Sequence, residues 1–330
     1  MSWLRLGEAY SKASRLAAAL KALGHARELK PGDWICAYFL AEVYRQMGQF
    51  QQAIDAFSEI LETQPLELRV LLTLAQTYLE FGRAQAAASF TARAEVSFVE
   101  SIKVILTIVD TSSGFRRISW KTAADALYEL SKMSSFSDPE DVVLTVEQVV
   151  PLVINRPKDR VSELFPSSPV LDVSALHKLS QSLLEVTVHA YSYRNSLGFL
   201  DDASASTGSY DLAIVLAAYS RRVASDVRSE EIRKGAVQFM KDAVSLEPLS
   251  DRYWHALGDL YFLSHPRTAQ HAYVKALELD NKVSQLLQIL RDAYGLIELC
   301  DLDQSRLVLS VPRRFRAGQR GILPCAGAEP

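Results

Sequence analysis

The chain has 330 residues, enough for two ordinary domains or one extended array. Hydrophobic residues make up 48% and charged residues 23%, close to the globular average, which excludes a wholly disordered protein. With 36 basic and 39 acidic residues the formal net charge is −3, so no basic excess marks a dedicated nucleic-acid binder.

The first hundred residues repeat themselves. Trp3, Leu6, Gly7 and Tyr10 are followed by Ala19, Leu23, Ala26 and Pro31. Thirty-four residues on, the pattern returns as Ala37, Leu40, Ala41, Tyr44, Ala53, Phe57, Ile60 and Pro65, and again as Leu71, Leu74, Ala75, Tyr78, Ala87, Thr91 and Ala94. Tyrosines at 10, 44 and 78 and alanines at 19, 53 and 87 hold the spacing. Leu6 and Tyr10, four apart, share one helix face, and Gly7 between them keeps that face thin enough for a second helix to approach. Pro31 and Pro65 stop one hairpin and open the next. This pattern resembles the tetratricopeptide (TPR) repeat, whose stacked helical hairpins form a solenoid with a concave surface. Gly48 and Gly82, also 34 apart, are expected at the turn inside repeats two and three, in the positive-φ conformation that ends a helix. The second helix of repeat three is then expected over 84–96. Met1 stands at the second position of a full repeat, without an N-cap, so a piece of a longer array is expected.

Beyond this the pattern loosens. Residues 97–109 read as another helix, 115–132 as a degenerate repeat opening on Trp120, Ala123, Ala124 and Leu127, and 139–153 as its helical partner, with Asp138 as cap and Pro139 first in the helix. Pro157, Pro166 and Pro169 make 155–172 a loop. Helices are expected over 174–197 and 210–224, separated by a polar loop at 198–208. From Gly235 the repeat returns: Ala236, Met240, Ala243 and Pro248, then Trp254, Leu257, Gly258 and Tyr261 at the spacing of residues 3–10, then Ala269, Tyr273 and Ala276, with one residue missing from the turn at His265 and Pro266. One more helix is expected over 283–300. The resulting reading is an all-α protein: TPR repeats 1–3 over 1–96, an irregular helical middle over 97–208, a second TPR array over 209–300 and a disordered tail over 301–330.

The N-terminus has no apolar core of signal-peptide length, and the most apolar run, 142–154, is too short and polar to span a bilayer. Together with three scattered cysteines, Cys36, Cys300 and Cys325, this leads us to expect a soluble cytoplasmic protein, with the nucleus as a second location. Arg313, Arg314, Arg316 and Arg320 read as part of a solvated tail rather than an RNA-binding patch. No catalytic constellation is found. There is no phosphate-cradling glycine loop and no Gly-x-Ser-x-Gly, and His265 and His271 are six apart, which is not a one-turn metal pair. No enzyme, cofactor, metal site or small-molecule substrate is expected.

In a TPR array partners meet the concave face, built from the first helix of each hairpin. The register places Leu4, Glu8, Ser11 and Lys12 there, then Ile35, Tyr38, Glu42, Arg45 and Gln46, then Arg69, Leu72, Gln76, Leu79 and Glu80. TPR co-chaperones that grip a C-terminal carboxylate need Lys and Asn at groove positions held here by Tyr38, Glu42, Leu72 and Gln76, and Glu42 would repel a carboxylate.

Residues 97–102 (SFVESI), 114–131 (GFRRISWKTAADALYELS) and 247–262 (EPLSDRYWHALGDLYF) resemble fungal members of the superkiller protein family, over roughly residues 1–281. That family is the TPR scaffold subunit of the superkiller complex. The resemblance implies a non-catalytic scaffold that holds an RNA helicase and WD-repeat subunits and, through them, serves the exosome in 3′-to-5′ mRNA decay, with no direct RNA contact and no membrane. The alternative is a TPR adaptor of another assembly (cell-cycle, transport or chaperone-linked). A TPR-fused glycosyltransferase would need an α/β pattern that this chain lacks.

Overall fold

The computed structural model describes residues 2–112, 115–154, 159–165, 169, 171, 175–198, 201–262 and 264–279. The helix expected over 283–300 and the tail over 301–330 lie outside the described residues. Every described element is an α-helix, and the chain divides into two compact units, 1–247 and 248–330. None of the described helices is long and apolar enough to cross a membrane.

The first unit begins with two short hairpins, α1 (Ser2–Lys12) with α2 (Leu16–Leu29) and α3 (Trp34–Gln46) with α4 (Phe50–Thr63). Small residues set the spacing within each. A methyl group at Gly7 would stand 2.5 Å from Leu23, so only glycine lets α2 lie this close. Ala19, Leu23, Ala41, Ala53 and Phe57 are all shut away from water, and burying each of the larger ones stabilises by about 1.5–3 kcal/mol. Both hairpins turn in the same way. The second residue after the first helix is left-handed, Ser14 at φ 57° and Gly48 at φ 74°. The next amide reaches back to the tyrosine that closes the helix, Arg15 to Tyr10 and Gln49 to Tyr44, each at 2.9 Å.

The third hairpin keeps this turn but moves it. Ser89 takes the left-handed conformation at φ 66°, and Phe90 N–H bonds to Gln85 C=O at 2.8 Å. Turn to turn, the step is 34 residues from Tyr44 back to Tyr10 but 41 from Gln85 back to Tyr44. Seven residues, two helical turns, have been added to each arm. The first helix, α5 (Leu68–Ala87), has 20 residues against 13 in α3, and the second, α6 (Thr91–Thr111), has 21 against 14 in α4. The turn expected at Gly82 is therefore absent. Gly82 lies inside α5 and plays the part of Gly7, because a methyl group there would stand 2.5 Å from Phe98, the counterpart of Leu23 and Phe57. The alanine in register with Ala19 and Ala53 is the buried Ala94, while Ala87 is exposed at the end of α5. Of the helix expected over 84–96, residues 84–87 are the end of α5 and 88–90 the turn, and the rest runs on into the helix expected over 97–109 as α6.

The irregular middle differs from the expected order of partners. The helix α7 (Arg116–Ser131) packs along α10 (Leu176–Ser196), while α8 (Pro139–Ile154) lies against α6 and α10. Asp138 does cap α8, accepting from Asp141 N–H at 3.1 Å. The loop expected over 155–172 contains a short helix, α9 (Arg160–Leu164), capped reciprocally by Asp159 and Ser162. The loop expected over 198–208 ends early: Asp201 accepts from Ser204 N–H at 2.8 Å and starts α11 (Asp202–Ser220). Its Ser, Ala, Thr and Gly residues read as loop composition, yet their small side chains suit a helix packed closely on α10 and on α12 (Asp226–Leu246). The helix expected over 210–224 ends at Ser220, and the segment expected to restart at Gly235 starts at Asp226.

The second unit contains one described hairpin, α13 (Asp251–Tyr261) with α14 (Pro266–Leu279). Here Gly258 repeats the device of Gly7, with Tyr273 2.5 Å from the position a methyl group would take. Counted from that glycine, α14 begins one residue sooner than α2 does from Gly7.

Candidate protein-docking face

The first helices of successive hairpins, α1, α3, α5 and α7, are neighbours in that order. Polar bonds tie the first three together with a fixed offset. Ser11 of α1 donates to Gln46 of α3 at 3.0 Å, the hydroxyls of Tyr38 (α3) and Thr73 (α5) meet at 3.1 Å, and Arg45 (α3) donates to Glu80 (α5) at 2.6 Å. Each pair is 35 residues apart, one repeat plus one position, so the repeat is written into the bonds as well as into the core.

Most of the sequence-predicted groove residues come together here. Arg45 also pairs with Glu42 at 2.5 Å, and Arg69 lies 5.9 Å from the centre of the Tyr38 ring. Burial disfavours the Arg45 charge, but Glu42 and Glu80 more than offset this and push its pKa up. Glu42 is therefore already neutralised by a cation of its own chain. Glu8 and Lys12 pair at 2.7 Å, which lowers the Glu8 pKa. Ile35 is 40% exposed, Leu72 and Gln76 are half-buried, and Leu4, also half-buried, packs against the core formed by α2 and α3. Leu79 differs from expectation. It is 5% exposed, since α5 has α3 and α7 as neighbours, and it offers a partner almost no surface.

The row continues past the residues that the repeat register could name. Arg83 of α5 reaches Glu129 of α7 at 3.0 Å and Asp125 at 3.9 Å. Lys121 of α7 bridges Asp125 at 3.2 Å and Asp211 of α11 at 3.3 Å, and Arg194 of α10 holds Asp211 at 2.8 Å. The Tyr191 hydroxyl donates to Asp125 at 2.5 Å, and burial with the nearby carboxylates pushes the phenol pKa well up. Arg83 and Lys121 are more exposed than Asp125 and Asp211, whereas Arg194 is buried with the acids. Four helices contribute to this network, so no single periodicity announces it.

Among the described residues, no three His, Cys, Asp or Glu side chains converge as a metal-binding group. His255 lies 5.4 Å from the Tyr273 ring, His265 lies 5.6 Å from Tyr261 and His271 lies 6.4 Å from Trp254.

A tetratricopeptide-repeat family model matches residues 10–67 and 45–95, from the end of α1 to the start of α6. No curated protein matches the sequence. Among solved structures, a tetratricopeptide-repeat protein from Parabacteroides merdae is 10% identical over 89% of this chain and 98% of its own, with a TM-score of 0.44. The protein MamA is 16% identical over 74% and 97%, with a TM-score of 0.38, and a thermophilic TPR protein of Thermus thermophilus is 18% identical over 90% and 98%, with a TM-score of 0.30. At this level the likenesses carry nothing about function.

Proposed function

We propose that this chain is a non-catalytic scaffold that seats protein partners along the face of α1, α3, α5 and α7. The observation that carries this reading is the row of cross-helix bonds at constant offset. It holds α1, α3 and α5 in fixed relation while Lys12, Ile35, Leu72 and Gln76 keep surface that neighbouring helices do not cover. A preset face of this kind spares a partner the cost of ordering it. By the resemblance of residues 97–131 and 247–262 to the superkiller family, the partners are an RNA helicase and WD-repeat subunits, the process is exosome-linked mRNA decay, and the place is the cytoplasm, with the nucleus second. An adaptor role in another assembly is the alternative.

Affinity purification of the tagged chain from cells, followed by mass spectrometry, tests both levels. Recovery of the helicase and WD-repeat proteins, lost with Ile35→Glu and Lys12→Glu together, supports the scaffold for RNA decay. Recovery of a different defined complex, lost with the same variant, overturns that role but keeps the docking face. Recovery of chaperones alone, unchanged by the variant, overturns the docking face itself.

A further inference from the structure

Helices α8 and α9 stand outside the hairpin stack. The first lies against α6 and α10, the second against α10 and α12. At the α6 end Glu95, 2% exposed, accepts from the backbone N–H groups of Ser137 and Asp138 at 2.6 and 2.8 Å, and Lys103 joins Asp141 at 3.1 Å. Val142, Val146, Val149 and Val153 of α8 are fully buried. At the α12 end Arg160 pairs with Asp242 at 2.7 Å, and Arg228 donates to Leu164 C=O while its guanidinium lies 5.6 Å from the Phe165 ring. Gly235 of α12 leaves room for Leu164, which would stand 2.7 Å from a methyl group there. Phe165 itself meets the rings of His189 in α10 and Tyr219 in α11 at 5.8 and 5.1 Å.

In a plain repeat stack each hairpin touches only its neighbours, so a local opening is felt less with every hairpin crossed. Here α6 and α12 are separated by the α7–α10 pair, yet both hold ends of one continuous piece of chain. We propose that α8 and α9 form a strap that couples α6, α10 and α12, so that this part of the molecule opens as one unit while α1 to α4 open on their own. The buried carboxylate of Glu95 and the aromatic lock around Phe165 are its two fastenings.

Hydrogen exchange of the full chain, followed by mass spectrometry at rising sub-denaturing urea, reads this directly. With a working strap, the slowest amides of α6 and α12 converge on one urea dependence, distinct from that of α2 and α4. Loosening either fastening should then speed exchange at the far end. Leu164→Ala should raise it in α6, and Glu95→Gln should raise it in α12, each by about threefold or more, with α2 and α4 unchanged. Separate urea dependences for α6 and α12 in the unaltered chain overturn the proposal. So does a response to both variants confined to the helices each one touches. The urea series needs no variant, so a substitution that fails to fold does not shield the idea.

Discussion

The hairpins α1–α4 and the region α6–α12 are built from similar helices but joined by different rules. In the first, each helix meets the one before and the one after, small residues set the distance, and the two turns are copies of each other. In the second, helices run to 21 residues, α7 finds its partner across an insertion, and buried polar groups from several helices meet. The difference teaches that regular repetition and strong coupling are separate properties. A stack can be periodic and still open piece by piece, whereas an irregular stretch can be tied into one piece.

The comparison is broken most forcefully at the cores of the two regions. Phe57→Ala and Trp120→Ala each remove a fully buried ring and should cost about 3–5 kcal/mol in urea melts. Exchange measurements should separate them: the first loosens α1–α5 and spares α10–α12, the second loosens α6–α12 together. A pair of glycines sharpens the point about packing. Gly82→Ala forces the Phe98 ring to move and should lose about 1–3 kcal/mol. Gly24→Ala, with nothing within 4 Å of the added methyl group, should gain about 0.5–1 kcal/mol. Arg45→Met removes the cation between Glu42 and Glu80 on a partly exposed face, and thermal melts should register a loss of about 1 kcal/mol or less.

The smallest effect is one of pH. Burial raises the Glu185 pKa, against the opposing hydrogen bond from Tyr219. The folded state therefore holds the proton more tightly than the unfolded chain. Stability from this group is present in acid, below the ordinary carboxylate range, and is lost as pH rises through the raised value. Glu185→Gln should accordingly be the more stable protein at neutral pH, with the gap closing on acidification. A gap that stays constant with pH would show that Glu185 is not desolvated.

The regular hairpins were legible because each of their residues has a single duty. Tyr10 and Tyr44 close a helix, Pro31 and Pro65 stop one, and Gly7 admits its neighbour, so the spacing alone places them. Tyr38, Glu42, Arg45 and Arg69 followed from that register. The third hairpin was misread because seven residues are nearly two whole turns, which leaves the apolar face where it was. Gly82 then falls 34 residues after Gly48 by coincidence, although its true counterpart is Gly7. The pairing of α7 with α10 and the meeting of Arg83, Lys121, Asp125, Arg194 and Asp211 were not legible, since periodicity along one helix says nothing about contacts assembled across an insertion.

The seven-residue extension of α5 and α6 has a consequence for how such a chain can vary. Adding one residue to a helix swings everything beyond it by about 100° and would turn Phe98 away from Gly82. Adding seven to each arm drifts the face by only about 20°, and the hairpin reaches about 10 Å further with its seam intact. Within their helices, hairpins such as α5–α6 therefore lengthen in matched heptads without losing the seam, whereas a single added residue would break it.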